Sequence, residues 1–543
     1  MEELNEGQRR ICENRSTHIL VIAGPGTGKT YSIAQKVVQI LKEGEDPSSI
    51  ICITFTNRAA MELRERVKSL ISKDLQDLFV GTINKLGLIF LKEHTKKEIK
   101  VIDRETQEEI LKGIMGDERR AKHELKKIER IKGKVLFEGK DEIYEKYEAE
   151  LRKNGLYDYE DLILKPCEIL ESMSPRKRIR YIIVDEFQDL NRAQYEFVSK
   201  IAELSRSLIC AVGDADQSIY GFRGSDVRIF LDFEKDYPQY EVVRLNENYR
   251  STKTIIEAST SLIKKNLKRF ENEIIAKRNG GPPVKIVTVP YPFMAGDFIV
   301  KEIEKRIGGL SHLSTSKGDS LKGERRLSFS DFAVIFRTNE DVNLVKKSFE
   351  MSGIPYQIIG GRLEGQRDPL RRLMEKIASS LSESNEGGLK GLSLRQFLDI
   401  CPFKEENESI IELVEGLFPF TPIGELLSEL NLITPLDDYN PSFDSVTLTT
   451  MHRAKGLEFS CVFILGLEEG NIPFSRSKDY DIEEERRLLY VGMTRAKDEL
   501  FLIRSKRGVP SHFLKEIPPE LTETIDIGLK KKPKTLSLFD LCK

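Results

Sequence analysis

The residues Ala23 to Thr30, AGPGTGKT, carry the chemistry that is most directly read from side-chain types and spacing. They follow the apolar run HILVI and precede the helical pattern YSIAQKVVQIL, the strand, loop and helix that a phosphate-binding loop requires. Ala23, Gly24, Pro25, Gly26, Thr27 and Gly28 would wrap the phosphates. The three glycines let backbone N–H groups converge on phosphate oxygens at the positive end of the following helix. Lys29 would then reach the β and γ phosphates, and Thr30 would ligate Mg²⁺.

A second acidic element, VDEFQDL, places Asp185 and Glu186 directly after the apolar run YIIV. Carboxylates at the carboxyl end of a parallel strand sit beside a phosphate loop, so Asp185 would hold Mg²⁺ and Glu186 would orient and deprotonate the attacking water. A DE pair after a strand is weak evidence alone; its weight comes from pairing with Lys29.

These residues need a scaffold, and the apolar runs outline one. Ile19 to Ala23, Ile50 to Phe55, Tyr181 to Val184 and Leu208 to Val212 read as strands covered on both faces, as do Phe332 to Phe336, Val446 to Thr449, Cys461 to Leu465 and Leu500 to Ile503. Helical patterns separate them, which predicts two parallel α/β cores. A charged helical segment from about Ile99 to Leu156 interrupts the first core, and its stretch Arg119 to Lys134 reads either as a basic face or as an ordinary solvated helix. A second helical region, about Pro369 to Asn440, interrupts the later core. The stretch Gly308 to Arg326 reads as a flexible loop, and the Lys-rich tail after Arg507 lacks the pattern of a packed domain.

At 543 residues, with 39% hydrophobic and 32% charged residues, the chain is too apolar for disorder and too charged for a bilayer. Its net charge of −2 requires any nucleic-acid partner to be held by a local basic surface. The seven cysteines form no CxxC pair and have no histidine at zinc-ligand spacing, which argues against zinc or an iron–sulfur cluster. No apolar run approaches a membrane span, and MEELNEGQRR lacks the apolar core of a secretory signal, so the expected location is the cytoplasm.

Eight ordered motifs then resemble the UvrD/Rep/PcrA group of superfamily 1 DNA helicases: LNEGQRR, AGPGTGKT, TFTNRAA, VDEFQDL, GDADQSIYGFRGS, LNENYRS, TMHRAKGLEF and EEERRLLYVGMTRAK. The resemblance implies two RecA-like parallel-sheet P-loop domains, each interrupted by a mainly helical insertion. It implies that Gln8 reads the adenine edge, Tyr249 stacks on the adenine, Gln217 senses the γ phosphate, Arg250 and Arg495 contact that phosphate, and Glu458 faces the ribose. A phosphoryl transition state spreads charge over its oxygens, so cations delivered to it make physical sense. If both cores line one nucleotide cleft, ATP closes them together and hydrolysis releases them.

The same resemblance implies a DNA track. Tyr220, Phe222 and Arg223 in QSIYGFRG would contact single-stranded DNA, the aromatic faces stacking on bases whatever the sequence. Phe222 stands where the family often has Trp, which this chain lacks altogether. Phe55, Thr56 and Asn57 match another strand-contacting motif, as do Gly81 and Thr82, although Asn84 stands where His is common. Thr450 and His452 match a motif that touches DNA.

The domains expected on this basis are residues 1–90 and 161–280 as the first core, 91–160 as its insertion, 281–368 and 441–510 as the second core, 369–440 as a reduced second insertion, and 511–543 as a basic tail. The function expected is an ATP- and Mg²⁺-dependent helicase or translocase moving 3′ to 5′ on single-stranded DNA and at single/double-strand junctions, in repair or replication. The short second insertion makes translocation the firmer expectation. A nucleotide-gated scaffold that binds DNA and a clamp is the alternative from another class, and a helicase-nuclease the rival within enzymes. Thr535 to Phe539, TLSLF, is similar to sliding-clamp-binding peptides, with Thr535 in place of the usual Gln; a tail strapped onto its own surface is the competing reading.

Overall fold

The computed structural model describes residues 4–71, 75–95, 99–134, 141–174, 179–308, 327–360, 372–381, 389–401, 410–411, 414–415, 418, 421–430, 432, 437, 439–441, 443–475 and 480–528. The chain forms two compact units. The first comprises Met1–Tyr249, Lys268–Ile275 and Gly360–Asn440, and the second Arg250–Leu267, Ala276–Ile359 and Pro441–Lys543. The tail peptide Thr535 to Phe539 and most of the stretch Gly308 to Arg326 lie outside the described residues.

The first unit is built on β1 (His18–Ala23), β2 (Ile50–Thr54), β3 (Phe79–Thr82), β4 (Lys100–Val101), β5 (Leu156–Tyr157), β6 (Tyr181–Val184), β7 (Leu208–Gly213) and β8 (Tyr240–Leu245). Six of these make one sheet in the order β3-β2-β6-β7-β1-β8. Every pairing in it is parallel. β2 and β6 are buried at every residue, as expected of strands covered by helices on both faces. The order places the ends of β1 and β6 near the middle of the sheet, separated by β7, so the phosphate loop and the acidic pair leave the same edge.

The chain passes from one unit to the other within β9 (Glu247–Thr252) and β10 (Ile275–Arg278). The second unit contains β11 (Val284–Val289), β12 (Phe332–Phe336), β13 (Tyr356–Ile358), β14 (Val446–Thr450), β15 (Phe459–Leu465), β16 (Ala496–Ser505) and β17 (Thr522–Asp526). These form a parallel seven-stranded sheet in the order β13-β14-β12-β15-β16-β11-β17. Two parallel α/β sheets, one in each unit, match the two cores expected from the apolar runs and the RecA-like architecture that the resemblance implies.

The residues after Arg507 depart from the expectation of an unpacked tail. Phe513 and Ile517 are buried, and β17 adds to the sheet edge beside β11. The strand has no continuous apolar run because it is an edge strand, mostly exposed, and needs little apolar surface. The segment 369–440 interrupts the second core in sequence but belongs to the first unit. Leu432 anchors it there, packing with Leu88, Leu91 and Leu162.

The first insertion closes on a buried ion cluster. Lys132 lies on the helix Glu118–Lys134, and its ammonium is 2.6 Å from Glu148, 2.6 Å from Asp158 and 3.0 Å from Asp161. Burial opposes the charge, but the three carboxylates outweigh it and hold the lysine pKa well above its usual value. Lys132 is therefore a structural residue and leaves the expected basic face. Lys122 and Lys127 on the same helix pair with Glu118, Glu124 and Asp141. Removing a buried partner leaves charge uncompensated, so Lys132→Ala is expected to cost ~3–5 kcal/mol of stability. A denaturant midpoint equal to wild type would contradict this role.

Among the described residues, Cys12, Cys52, Cys167, Cys210 and Cys461 are buried free thiols, as core packing predicts. No helix among the described residues is long and apolar enough to cross a membrane.

Candidate functional site

The nucleotide loop grows from the end of β1. Gly26 and Gly28 take left-handed backbone angles of φ 65° and 82°, which residues with a Cβ rarely adopt. Gly28 is also the residue before the helix Lys29–Lys42, which no side chain caps, so its first turn presents N–H groups to the loop. Gly24 is required for space, because a Cβ there would lie 2.2 Å from Ile274 Cδ1. The hydroxyl of Thr27 donates to the Gly24 carbonyl at 2.8 Å, and Asn248 donates to the Pro25 carbonyl at 2.6 Å. Asn248, wholly buried, was not singled out by the motif reading, although its place in LNENYRS was visible.

Two residues expected to face the nucleoside lie against this loop. Gln8 is fixed by reciprocal hydrogen bonds with Asn5, and its amide nitrogen would be 3.1 Å from a Cβ at Gly28. Tyr249 donates its backbone N–H to the Gly26 carbonyl at 2.9 Å. The Tyr249 hydroxyl donates to Glu247 at 2.5 Å and accepts from Asn5 at 3.1 Å, leaving the ring 46% exposed. An exposed tyrosine face tethered to the loop suits stacking on a purine.

The acidic pair stands at the end of β6. Asp185 donates its N–H to the Ile53 carbonyl at 2.9 Å, which extends the β2 pairing to the first carboxylate. Glu186 takes the left-handed conformation at φ 52°, one of two non-glycine residues to do so among those described. Its Oε1 is 3.7 Å from the Lys29 ammonium, which also lies 3.5 Å from the Ala23 carbonyl. Thr30 and Asp185 offer hard oxygen donors suited to Mg²⁺, which when bound would neutralise charge developing on the phosphates. Gln217 donates to Asp214 at 2.7 Å, and burial, foremost, pushes the Asp214 carboxyl upward. Lys29, Glu186, Asp214 and Gln217 thus gather around this loop, carboxylates, an amide and an ammonium that could orient a water beside a bound phosphate.

In the second unit Arg250, Glu458 and Arg495 lie together. Arg250 Nε donates to Glu458 at 2.6 Å and its NH1 to the Thr494 carbonyl at 3.4 Å. Burial raises the Glu458 pKa, but Arg250 and Lys497 outweigh it and hold this carboxyl at about 2. Glu458, expected at the ribose, is thereby the counter-ion of Arg250. Arg495 is 2% exposed, its guanidinium donating to the carbonyls of Val491 and Leu457 and to the Thr494 hydroxyl.

Two family models match the chain across this set. The UvrD/REP helicase N-terminal domain matches residues 4–238, and the UvrD-like helicase C-terminal domain matches residues 243–364 and 367–507. The chain belongs to the UvrD/Rep helicase family. Among its relatives is the protein named ATP-dependent DNA helicase PcrA of Leuconostoc citreum, 28% identical over 98% of this chain and 87% of its own length. The PcrA of Bacillus subtilis is 28% identical over 96% of this chain and 87% of its own length. That of Staphylococcus aureus is 27% identical over 98% and 88%.

The residues expected on the DNA track of a UvrD/Rep protein divide into exposed and buried. Phe222 is 64% exposed, on the short turn Gly221–Arg223, with the Arg223 guanidinium 5.6 Å from its ring centroid. Tyr220, expected to contact the strand, is buried and stacks on Phe55 at 4.8 Å, so in this structure it supports the turn that exposes Phe222. Thr56 and Thr82 each cap a helix, accepting from Ala59 and Lys85 N–H groups. A Cβ at Gly81 would sit 3.0 Å from the Phe79 ring. Thr450 is buried at the end of β14 and His452 half-buried in the turn after it.

Asn57 is buried, its amide donating to the Leu432 carbonyl at 3.1 Å and to Asp437 at 3.2 Å. Asp437 also accepts the Arg58 N–H at 3.3 Å, while the Arg58 guanidinium lies over the Tyr439 ring. Lys85 pairs with Glu429 at 2.8 Å. Acidic side chains from the 429–439 segment thus occupy the donors that the motif would offer to phosphates. Sequence patterning gave no signal for this, because the partners lie more than 340 residues apart.

Proposed function

We propose that this chain is an ATP-dependent motor that moves 3′ to 5′ on single-stranded DNA, with Mg²⁺ as its metal, and displaces strands or bound proteins at single/double-strand junctions. The observation that carries the reading is the set Lys29, Glu186, Asp214 and Gln217 around one phosphate loop, continuous in the chain with a turn that exposes Phe222. A water oriented by Glu186 would attack the terminal phosphate, and Lys29 would balance charge on the departing group. Arg250 and Arg495 are assigned to the same phosphate through the family's motifs. The names of the relatives, ATP-dependent DNA helicases, support this substrate pair. The test is ATP hydrolysis with and without single-stranded DNA: strong stimulation is expected, and equal rates would overturn the motor.

Two further results follow from the same surface. Base–aromatic stacking contributes ~1–3 kcal/mol, so Phe222→Ala is expected to weaken single-stranded DNA binding ~5- to 150-fold by fluorescence anisotropy. Unchanged affinity would remove Phe222 from the track. In this reading DNA phosphate replaces Asp437 at Asn57 and Arg58, so Asp437→Ala is expected to tighten single-stranded DNA binding several-fold and steepen its salt dependence. Weaker binding would show that Asp437 supports the DNA surface and does not compete for it.

A further inference from the structure

Gln188 is wholly buried, and each end of its amide is committed. Its Nε2 donates to Glu186 Oε2 at 2.6 Å, and its Oε1 accepts the Asp214 N–H at 3.1 Å. One side chain therefore links the carboxylate assigned to the attacking water with the start of the segment that carries Gln217. The space for this amide is made by Gly213, where a Cβ would fall 2.3 Å from Gln188 Oε1.

The backbone that follows is tied to the DNA-facing turn at successive residues. The Gln188 carbonyl accepts from the Ser218 hydroxyl at 3.3 Å, the Asp189 carbonyl from the Ser225 hydroxyl at 2.6 Å, and the Leu190 carbonyl from the Asp226 N–H at 3.2 Å. These bonds bracket Tyr220 to Arg223. Glu186 itself holds a left-handed conformation that strains a residue with a Cβ, so its orientation is imposed by its surroundings. Gln188 makes the 2.6 Å hydrogen bond to one of its carboxylate oxygens, while Lys29 lies 3.7 Å from the other.

We propose that Gln188 is a positioning residue that couples the Phe222 turn to Glu186, so that DNA held at the turn fixes the hydrolytic carboxylate in its working orientation. The inference rests on the function proposed above. It adds the route by which strand contact reaches the chemistry: from the turn, through the Ser218, Ser225 and Asp226 bonds, to residues 188–190, and through the Gln188 amide to Glu186.

The test compares wild type, Gln188→Glu and Gly213→Ala in steady-state ATP hydrolysis, with and without saturating single-stranded DNA. Gln188→Glu preserves shape but removes the N–H that donates to Glu186, and Gly213→Ala keeps Gln188 and pushes its amide away; each is expected to lower DNA-stimulated kcat ~10- to 100-fold. In both variants KM for ATP and affinity for single-stranded DNA stay at wild-type values. Full DNA stimulation of kcat in both variants, or a fall in kcat matched by loss of ATP or DNA binding, would overturn the coupling role. Wild-type protein that hydrolyses ATP without any response to DNA would overturn the underlying function instead, so the two failures are distinct.

Discussion

Lys29→Ala is expected to lower ATP turnover at least ~10³-fold and to weaken nucleotide binding with it. Lys29 is the cation nearest the carboxylate of Glu186 in the phosphate loop, 3.7 Å away, and its ammonium lies at the end of β1 where the terminal phosphates would rest. Removing one preorganised donor to a developing oxyanion costs ~10²–10³ in rate. Losing a full positive charge beside a triphosphate costs more, because ground-state binding falls as well. The fold should survive, since the side chain is largely polar in its contacts and belongs to no hydrophobic cluster. Single-turnover hydrolysis and binding of a fluorescent ATP analogue would measure both effects. Turnover within a few-fold of wild type would sink the phosphate-loop assignment.

Glu186→Gln is expected to separate binding from chemistry. The amide keeps the size of the side chain and its contact with Gln188 but cannot accept a proton, so kcat is expected to fall ~10²–10⁴-fold with KM for ATP nearly unchanged. Such a variant should accumulate in its ATP-bound state and hold single-stranded DNA through many wild-type turnovers. A parallel fall in ATP affinity would mean that Glu186 serves the metal or the fold, and the role of base would pass elsewhere. The contrast with Lys29→Ala is diagnostic, because one substitution removes a charge that binds and the other a group that reacts.

Much of this site is readable in the sequence because local requirements fix it. Gly26 and Gly28 need positive φ, β1 and β6 need unbroken apolar runs, and Asp185 must follow its strand directly; each condition is met within a few residues. The central strands were legible for the same reason, except β11, whose apolar run is broken by Lys285 and Thr288. The edge strands β3, β8, β13 and β17 were not, because an edge strand is short or covered on fewer sides and carries a weaker apolar pattern. Long-range pairings were also invisible. Lys132 belongs to a charge-rich helix by composition, and only the return of the chain at Asp158 and Asp161 buries it. Tyr220 and Phe222 share one motif and two residue spacings, yet packing against Phe55 buries the first and leaves the second exposed. Gln188 lies inside a recognised motif, but its function depends on Gly213 and Asp214, whose contact with it is set by the tertiary fold.

Hydrolysis of ATP is expected to move this chain along a single strand in one direction. Displacement of streptavidin from oligonucleotides biotinylated at either the 5′ or the 3′ end measures that movement without requiring duplex unwinding. ATP-dependent displacement is expected from the 5′ end, with little from the 3′ end and none from either with Lys29→Ala. Equal release from both ends, or no release while DNA-stimulated hydrolysis proceeds, would contradict it.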